Sequence, residues 1–107
     1  MDTAEAAAER ALNVLHDPTR RRVLELLRSG EQSVRQLTDQ LDVTQPAVSQ
    51  HLRVLKDAEL VAVRPQGARR LYRIDPDGLG AIRAWVDSFW DDALTAFADH
   101  LDAKEQR

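Results

Sequence analysis

The stretch Ser33-Val34-Arg35-Gln36-Leu37-Thr38-Asp39-Gln40-Leu41-Asp42-Val43-Thr44-Gln45-Pro46-Ala47-Val48-Ser49-Gln50-His51-Leu52-Arg53-Val54-Leu55-Lys56-Asp57 decides the fold. Ser33 with Gln36 three residues on has the spacing of a capping box, so a short helix opens there. Val34, Leu37 and Leu41 line its inner face. Asp42-Val43 reads as a tight turn. Thr44 is the next N-cap, and the helix from Gln45 to about Asp57 buries Val48, Leu52 and Leu55. Two short helices joined by about three residues form a helix-turn-helix over about 33–57.

Beyond Asp57 the period changes from helix to strand. Leu60-Val61-Ala62-Val63-Arg64 is β-prone, Gln66-Gly67-Ala68 is a turn, and Arg70-Leu71-Tyr72-Arg73-Ile74 is β-prone again. A two-stranded hairpin is expected over about 60–74, a wing beside the helix pair. Asp75-Pro76 then pairs an N-cap with a proline at the first helical position, and opens a final helix to about 102. The same signal at Asp17-Pro18 opens a helix that runs to about Arg28, buries Val23, Leu24, Leu26 and Leu27, and stops at Ser29-Gly30. Residues 4–16 make a first helix whose apolar face is mostly alanine, so a neighbouring helix can approach closely. The expected architecture is mainly α with a small β-hairpin: a winged helix-turn-helix of about five helices plus a two-stranded wing. It is read as a single domain over 1–107, with one modest core.

The composition narrows the function classes. There is no cysteine, so disulfides, thiolate metal sites and thiol redox sensing are excluded. No run of about 18 apolar residues exists, and the first residues are acidic and alanine-rich, unlike a secretory signal. A cytoplasmic protein with no membrane partner is expected. The formal net charge is −3, which argues against a polyanion partner until its distribution is seen. Residues 1–17 carry −3, residues 18–74 carry +5 and residues 75–107 carry −5. A basic centre between acidic ends suits a polyanion-binding middle flanked by segments with another task.

The helix at 45–57 supplies the first candidate site. With Val48, Leu52 and Leu55 turned inward, its other face shows Pro46, Ser49, Gln50 and Arg53, with Gln45 at the exposed N-terminal end after Thr44. Glutamine can bond adenine, arginine can bond guanine and serine can bond a base or a phosphate. A recognition helix puts its N-terminal residues into the major groove. An ordinary solvated face would carry Glu and Lys, and no acid lies between Gln45 and Lys56. The wing supplies the second candidate. Arg64, Arg69, Arg70 and Arg73 surround its loop with no acid between Leu60 and Ile74. A few charges protect an exposed edge, but four arginines exceed that need and favour contact with the DNA backbone or minor groove. Arg20, Arg21 and Arg22 are expected to add phosphate contacts.

The segments Leu15-His16-Asp17-Pro18-Thr19-Arg20-Arg21, Val43 to Leu55, Glu59-Leu60-Val61 and Gly67 to Ile74 resemble the ArsR-type winged-helix repressors, and the resemblance covers nearly the whole chain. Ala84-Trp85-Val86-Asp87-Ser88-Phe89-Trp90 is similar to a metal-independent, SdpR-like subgroup of autorepressors. The resemblance implies a homodimer on an inverted repeat of double-stranded DNA, often in its own promoter. By motif position, Gln45, Ser49 and Gln50 would contact bases or nearby phosphates.

The final helix carries four of the chain's five aromatics: Trp85, Phe89, Trp90 and Phe97. With Ile82, Val86, Ala93, Leu94 and Leu101 they cover about half its circumference, where a surface helix needs a stripe of roughly 100°. The excess is expected to cover a second subunit, together with Ala7 and Ala11 of the first helix. Two other readings stay open: an aromatic docking face for a different protein, or a pocket for an apolar effector at the dimer interface. Metal sensing has little to draw on. His100 and His16 are the candidates, the pair of spaced histidines that the family uses on this helix is missing, and neither metal nor cofactor is expected. His51 on the recognition helix is expected to pack or bond locally. No phosphate loop, ligand cluster or nucleophile–base pair supports catalysis.

Overall fold

A computed structural model describes residues 3–105. The order is α1 (Thr3–Val14), α2 (Pro18–Leu26), a 3-10 turn (Leu27–Ser29), β1 (Gln32–Ser33), α3 (Val34–Asp39), α4 (Gln45–Asp57), β2 (Val61–Gln66), β3 (Arg69–Ile74) and α5 (Pro76–Glu105). The five helices and the hairpin appear where the caps place them. Asp17 accepts hydrogen bonds from the backbone amides of Thr19 and Arg20 at 2.8 and 3.2 Å. Ser33 and Gln36 close their capping box: the Gln36 amide donates to Ser33 Oγ at 3.2 Å, and the Ser33 amide donates to Gln36 Oε1 at 2.8 Å. Thr44 Oγ1 accepts from the Ala47 amide. Each bond satisfies an orphan donor of a first helical turn.

The wing differs from expectation in one respect. It belongs to a three-stranded antiparallel sheet of order β1-β3-β2, because Gln32-Ser33 pairs with Leu71-Tyr72. The β2–β3 loop has two residues: Gln66 pairs with Arg69, and Gly67 sits at φ +60°. A positive φ at the first loop position alone is the pattern of a II′ hairpin turn, which matches strand twist and favours glycine there.

Val23, Leu37, Val48, Leu52, Leu55 and Leu60 are fully buried, with Val61 at their edge, so α2, α3, α4 and the start of β2 share one core. The end of α4 is a Schellman motif: the Leu60 amide donates to Leu55 O and the Glu59 amide to Lys56 O, both at 2.9 Å, with Glu59 at φ +60°. The start of α5 docks against this corner. The Gly78 amide donates to Glu59 O at 2.8 Å, and a Cβ on Gly78 would lie 2.7 Å from that oxygen, so only glycine permits this approach.

α5 packs on α1 and then continues outward. It has 30 residues, about 45 Å at 1.5 Å per residue. The molecule measures 70 × 26 × 21 Å with a radius of gyration of 19.0 Å, against about 13 Å for a compact chain of this length. Ala11 was expected at a subunit interface, yet it is fully buried inside the chain, where its small side chain lets α1 approach the core; it has no surface left to offer a partner.

Candidate nucleic-acid interface

α4 is anchored from behind by Val48, Leu52 and Leu55, all without exposed surface. Gln45, Pro46, Ser49, Gln50, Arg53 and Lys56 are exposed, as is Thr44 before them. Pro46 stands in the first turn, where a missing amide costs nothing. The exposed face therefore offers two amides, a hydroxyl, a guanidinium and an ammonium, and its one acid, Asp57, comes in the last turn. Half-buried His51 accepts a hydrogen bond at Nδ1 from Arg20 Nε at 3.2 Å, which ties α4 to α2.

The strand register divides the wing's arginines. Side chains alternate between the faces of a strand, and the pairs Val63↔Tyr72 and Pro65↔Arg70 share one face while Arg64↔Leu71 and Gln66↔Arg69 share the other. On the first face, Arg70, Val63 and Tyr72 meet Ser49, Arg53 and Lys56 of α4, with Val34 and Leu52 behind, around a groove of about 330 Å³. Among the described residues, Arg53, Lys56 and Arg70 have no ion-pair partner, and no carboxylate lines the groove. On the second face, Arg64 is held in a two-pronged pair by Glu31, with Nε and Nη2 donating to the two carboxylate oxygens at 2.8 and 3.0 Å. The Arg64 guanidinium holds the Glu31 carboxyl below its ordinary range. Because β3 lies between β1 and β2, this pair spans the sheet. Arg69 Nη2 donates to Gln66 Oε1 at 3.2 Å.

The arginines of α2 are occupied locally. Arg20 serves His51, Arg21 Nη1 donates to Leu15 O and His16 O at the end of α1, and Arg22 lies 3.7 Å from Glu25. The sequence reading missed Lys56, which the 49, 53, 56 helical stripe could have found, and Glu31, whose link to Arg64 has no local signal.

The second surface is on α5. Exposure rises along it, from 38% at Trp85 and 40% at Val86 to 56% at Phe89 and 65% at Trp90. Leu94, Phe97 and Leu101 are also exposed, whereas Ile82 is half-buried against the core. Trp85 and Phe89 meet edge to face with centroids 4.8 Å apart. His16 and His100 are exposed, and among the described residues no group of three or more His, Asp or Glu comes together to hold a metal ion. No described helix is long and apolar enough to cross a membrane.

A helix-turn-helix with an acid-poor polar outer face, a sheet wing beside it and an apolar helix projecting away define a winged-helix DNA-binding transcriptional regulator. The family described as "Bacterial regulatory protein, arsR family" matches residues 17–63. The chain is 49% identical over 96 residues, 90% of each protein, to the HTH-type transcriptional regulator Rv2034 of Mycobacterium tuberculosis. It is 29% identical over 75 residues to the transcriptional repressor SdpR of Bacillus subtilis, covering 70% of this chain and 83% of that protein. Among solved structures, the homodimeric winged helix-turn-helix DNA-binding domain Mb0332 of Mycobacterium bovis, a possible ArsR-family regulator, superposes with a TM-score of 0.65 at 28% identity and 81% coverage of each chain. The chain belongs to the arsR family.

Proposed function

We propose that this chain is a homodimeric, sequence-specific repressor that binds an inverted-repeat operator, including one upstream of its own gene. The observation that carries the reading is the face of α4: fully buried on one side, and on the other exposing Gln45, Ser49, Gln50 and Arg53 with no acid before Asp57. Thr44, Gln45, Pro46 and Gln50 enter the major groove with Ser49 at their edge, Arg53 and Arg70 face the duplex beside them, and Arg69 approaches it from the other face of the wing. Arg64 joins them only by giving up Glu31. Two copies of α4 then sit about 34–36 Å apart on one side of the DNA, and repression follows from occupying a site that polymerase needs. The homodimer named for the Mycobacterium bovis protein and the open apolar face of α5 support pairing through Ala7, Ile82, Trp85, Val86, Phe89, Trp90, Ala93 and Phe97. No catalytic role, resident metal or cofactor belongs to this reading, and the place of action is the cytoplasm.

Fluorescence anisotropy with the gene's own upstream region against a shuffled duplex tests it, over several salt concentrations and with or without zinc. The expected result is tight, salt-sensitive, selective binding of one dimer per site, unaffected by zinc. Equal affinity for both duplexes would refute autoregulation through that region.

A second reading has one observation in its favour. Trp85 borders two hollows of about 280 and 430 Å³, both against α1: one with Ala8 and Leu12 beside Glu5, Glu9 and Asn13, the other with Ala81 and Ala84 beside Glu5 and Ser88. A small apolar effector seated there would quench Trp85 fluorescence, and a ligand screen by that signal checks it.

A further inference from the structure

We propose that the groove between α4 and the wing grips the DNA backbone, one phosphodiester stretch per subunit, with Arg53, Lys56 and Arg70 as its cations. The inference rests on the DNA-binding reading and divides that surface in two. Gln45, Pro46 and Gln50 remain for base edges. Ser49, Arg53 and Lys56 recur at positions i, i+4 and i+7 and so form one stripe, turned to the wing. Arg53 therefore positions the helix instead of reading a base.

Three observations meet at this groove. The strand register places Arg70 on the side of the wing that faces α4, while Arg64 and Arg69 lie on the other side. Arg64 is already paired with Glu31, and Arg69 bonds the neutral Gln66 amide on that other face; Arg53, Lys56 and Arg70 have no ion-pair partner among the described residues. The lining holds three cations and no carboxylate. Three like charges around one groove with no counter-charge among its lining favour an anion between them. The groove runs along α4 from Ser49 to Lys56, C-terminal to Gln45 and Pro46. A phosphodiester supplies the charge, and it carries no sequence information.

The test compares the parent with Arg53→Ala, Lys56→Ala, Arg70→Ala and Gln50→Ala by anisotropy on a cognate and a random duplex across a salt series. Each groove variant is expected to lose affinity on both duplexes by the same factor. The plot of log affinity against log salt should flatten by about one unit per lost contact, hence about two per dimer. Gln50→Ala should lose affinity on the cognate duplex alone and keep the parent slope. Arg53→Lys and Arg70→Lys keep the charge and should restore the slope, which separates lost charge from a misfolded variant. A slope unchanged in all three groove variants, with the parent binding normally, overturns the groove alone. An Arg53→Ala loss confined to the cognate duplex overturns it too, making Arg53 a base reader. A parent that binds neither duplex overturns the DNA-binding reading and the groove with it.

Discussion

Replacing Trp90 by glutamate should convert the proposed dimer to monomer without unfolding the chain. Trp90 is 65% exposed in the single chain. A tryptophan buries on the order of 150–250 Å², so roughly 100–160 Å² of this one remains for a partner. At about 25 cal/mol per Å² that area stabilises a dimer by about 2.5–4 kcal/mol per side chain. Two-fold symmetry presents the residue twice. Even if only half of the combined area is covered, about 2.5–4 kcal/mol is lost, a weakening of roughly 10²–10³ in dissociation constant. The buried carboxylate adds its own penalty. The fold should survive, because the core formed by Val23, Leu37, Leu52, Leu55 and Leu60 does not include this residue. Sedimentation velocity over a concentration series reads the change, with circular dichroism to confirm that the helices persist. A folded Trp90→Glu protein that still sediments as a dimer at the parent's concentrations would refute the assignment of this face.

Gly78→Ala forces a Cβ to within 2.7 Å of a backbone oxygen; it should cost about 1–3 kcal/mol and lower the melting temperature by roughly 4–8 °C per kcal/mol in calorimetry. Glu59→Gly removes the cost of a positive φ on a side-chain-bearing residue and should raise stability by about 1 kcal/mol in urea unfolding; no gain would mean that the Glu59 side chain compensates for its backbone. Asp17 has its carboxyl held below the ordinary value of 3.8, chiefly by the Arg20 amide, against the opposing effect of desolvation and with the Thr19 amide and the nearby Arg20 charge adding to it. A depressed folded-state pKa means that the ionised cap stabilises the fold above the ordinary value, and that this stability is lost as pH falls through the folded value. Asp17→Asn keeps a capping oxygen but does not titrate, so its stability difference from the parent should be flat above about pH 5 and change only below about pH 4; a difference that does not vary with acid would remove this carboxyl as a source of acid sensitivity.

The elements marked by local chemistry were legible. Asp17-Pro18, Ser33 with Gln36, Thr44 before Pro46 and Gly67 each act within a few residues, so their helices and turn could be placed from the chain alone. What depends on distant partners was not. β1 is two residues long and exists only because Leu71-Tyr72 lies beside it. Glu31 and Arg64 are 33 positions apart, so the acid that removes Arg64 from the pool of free cations gave no sign in the wing itself. The division of the wing's arginines is an intermediate case: their alternation follows from a period of two, but which face meets α4 needs the fold. Ala11 shows the opposite limit. A stripe of alanines announces close packing, and cannot say whether the neighbour is the chain's own core or another molecule.

The Gly78 contact makes α5 a lever whose fulcrum is the end of α4. The recognition helix ends in a fixed corner, and the arm that would meet the other subunit is seated on that corner's carbonyl with no side chain between them. A tilt of about 5° at the joint sweeps the far end of an arm of about 45 Å through roughly 4 Å. Read the other way, a shift of that size where the two arms cross would turn both reading heads against the duplex. Half-site spacing would then be set by the stiffness of the glycine–carbonyl joint together with the α1 packing that braces the arm, and anything wedged between the arms would change the length of DNA that the pair can measure.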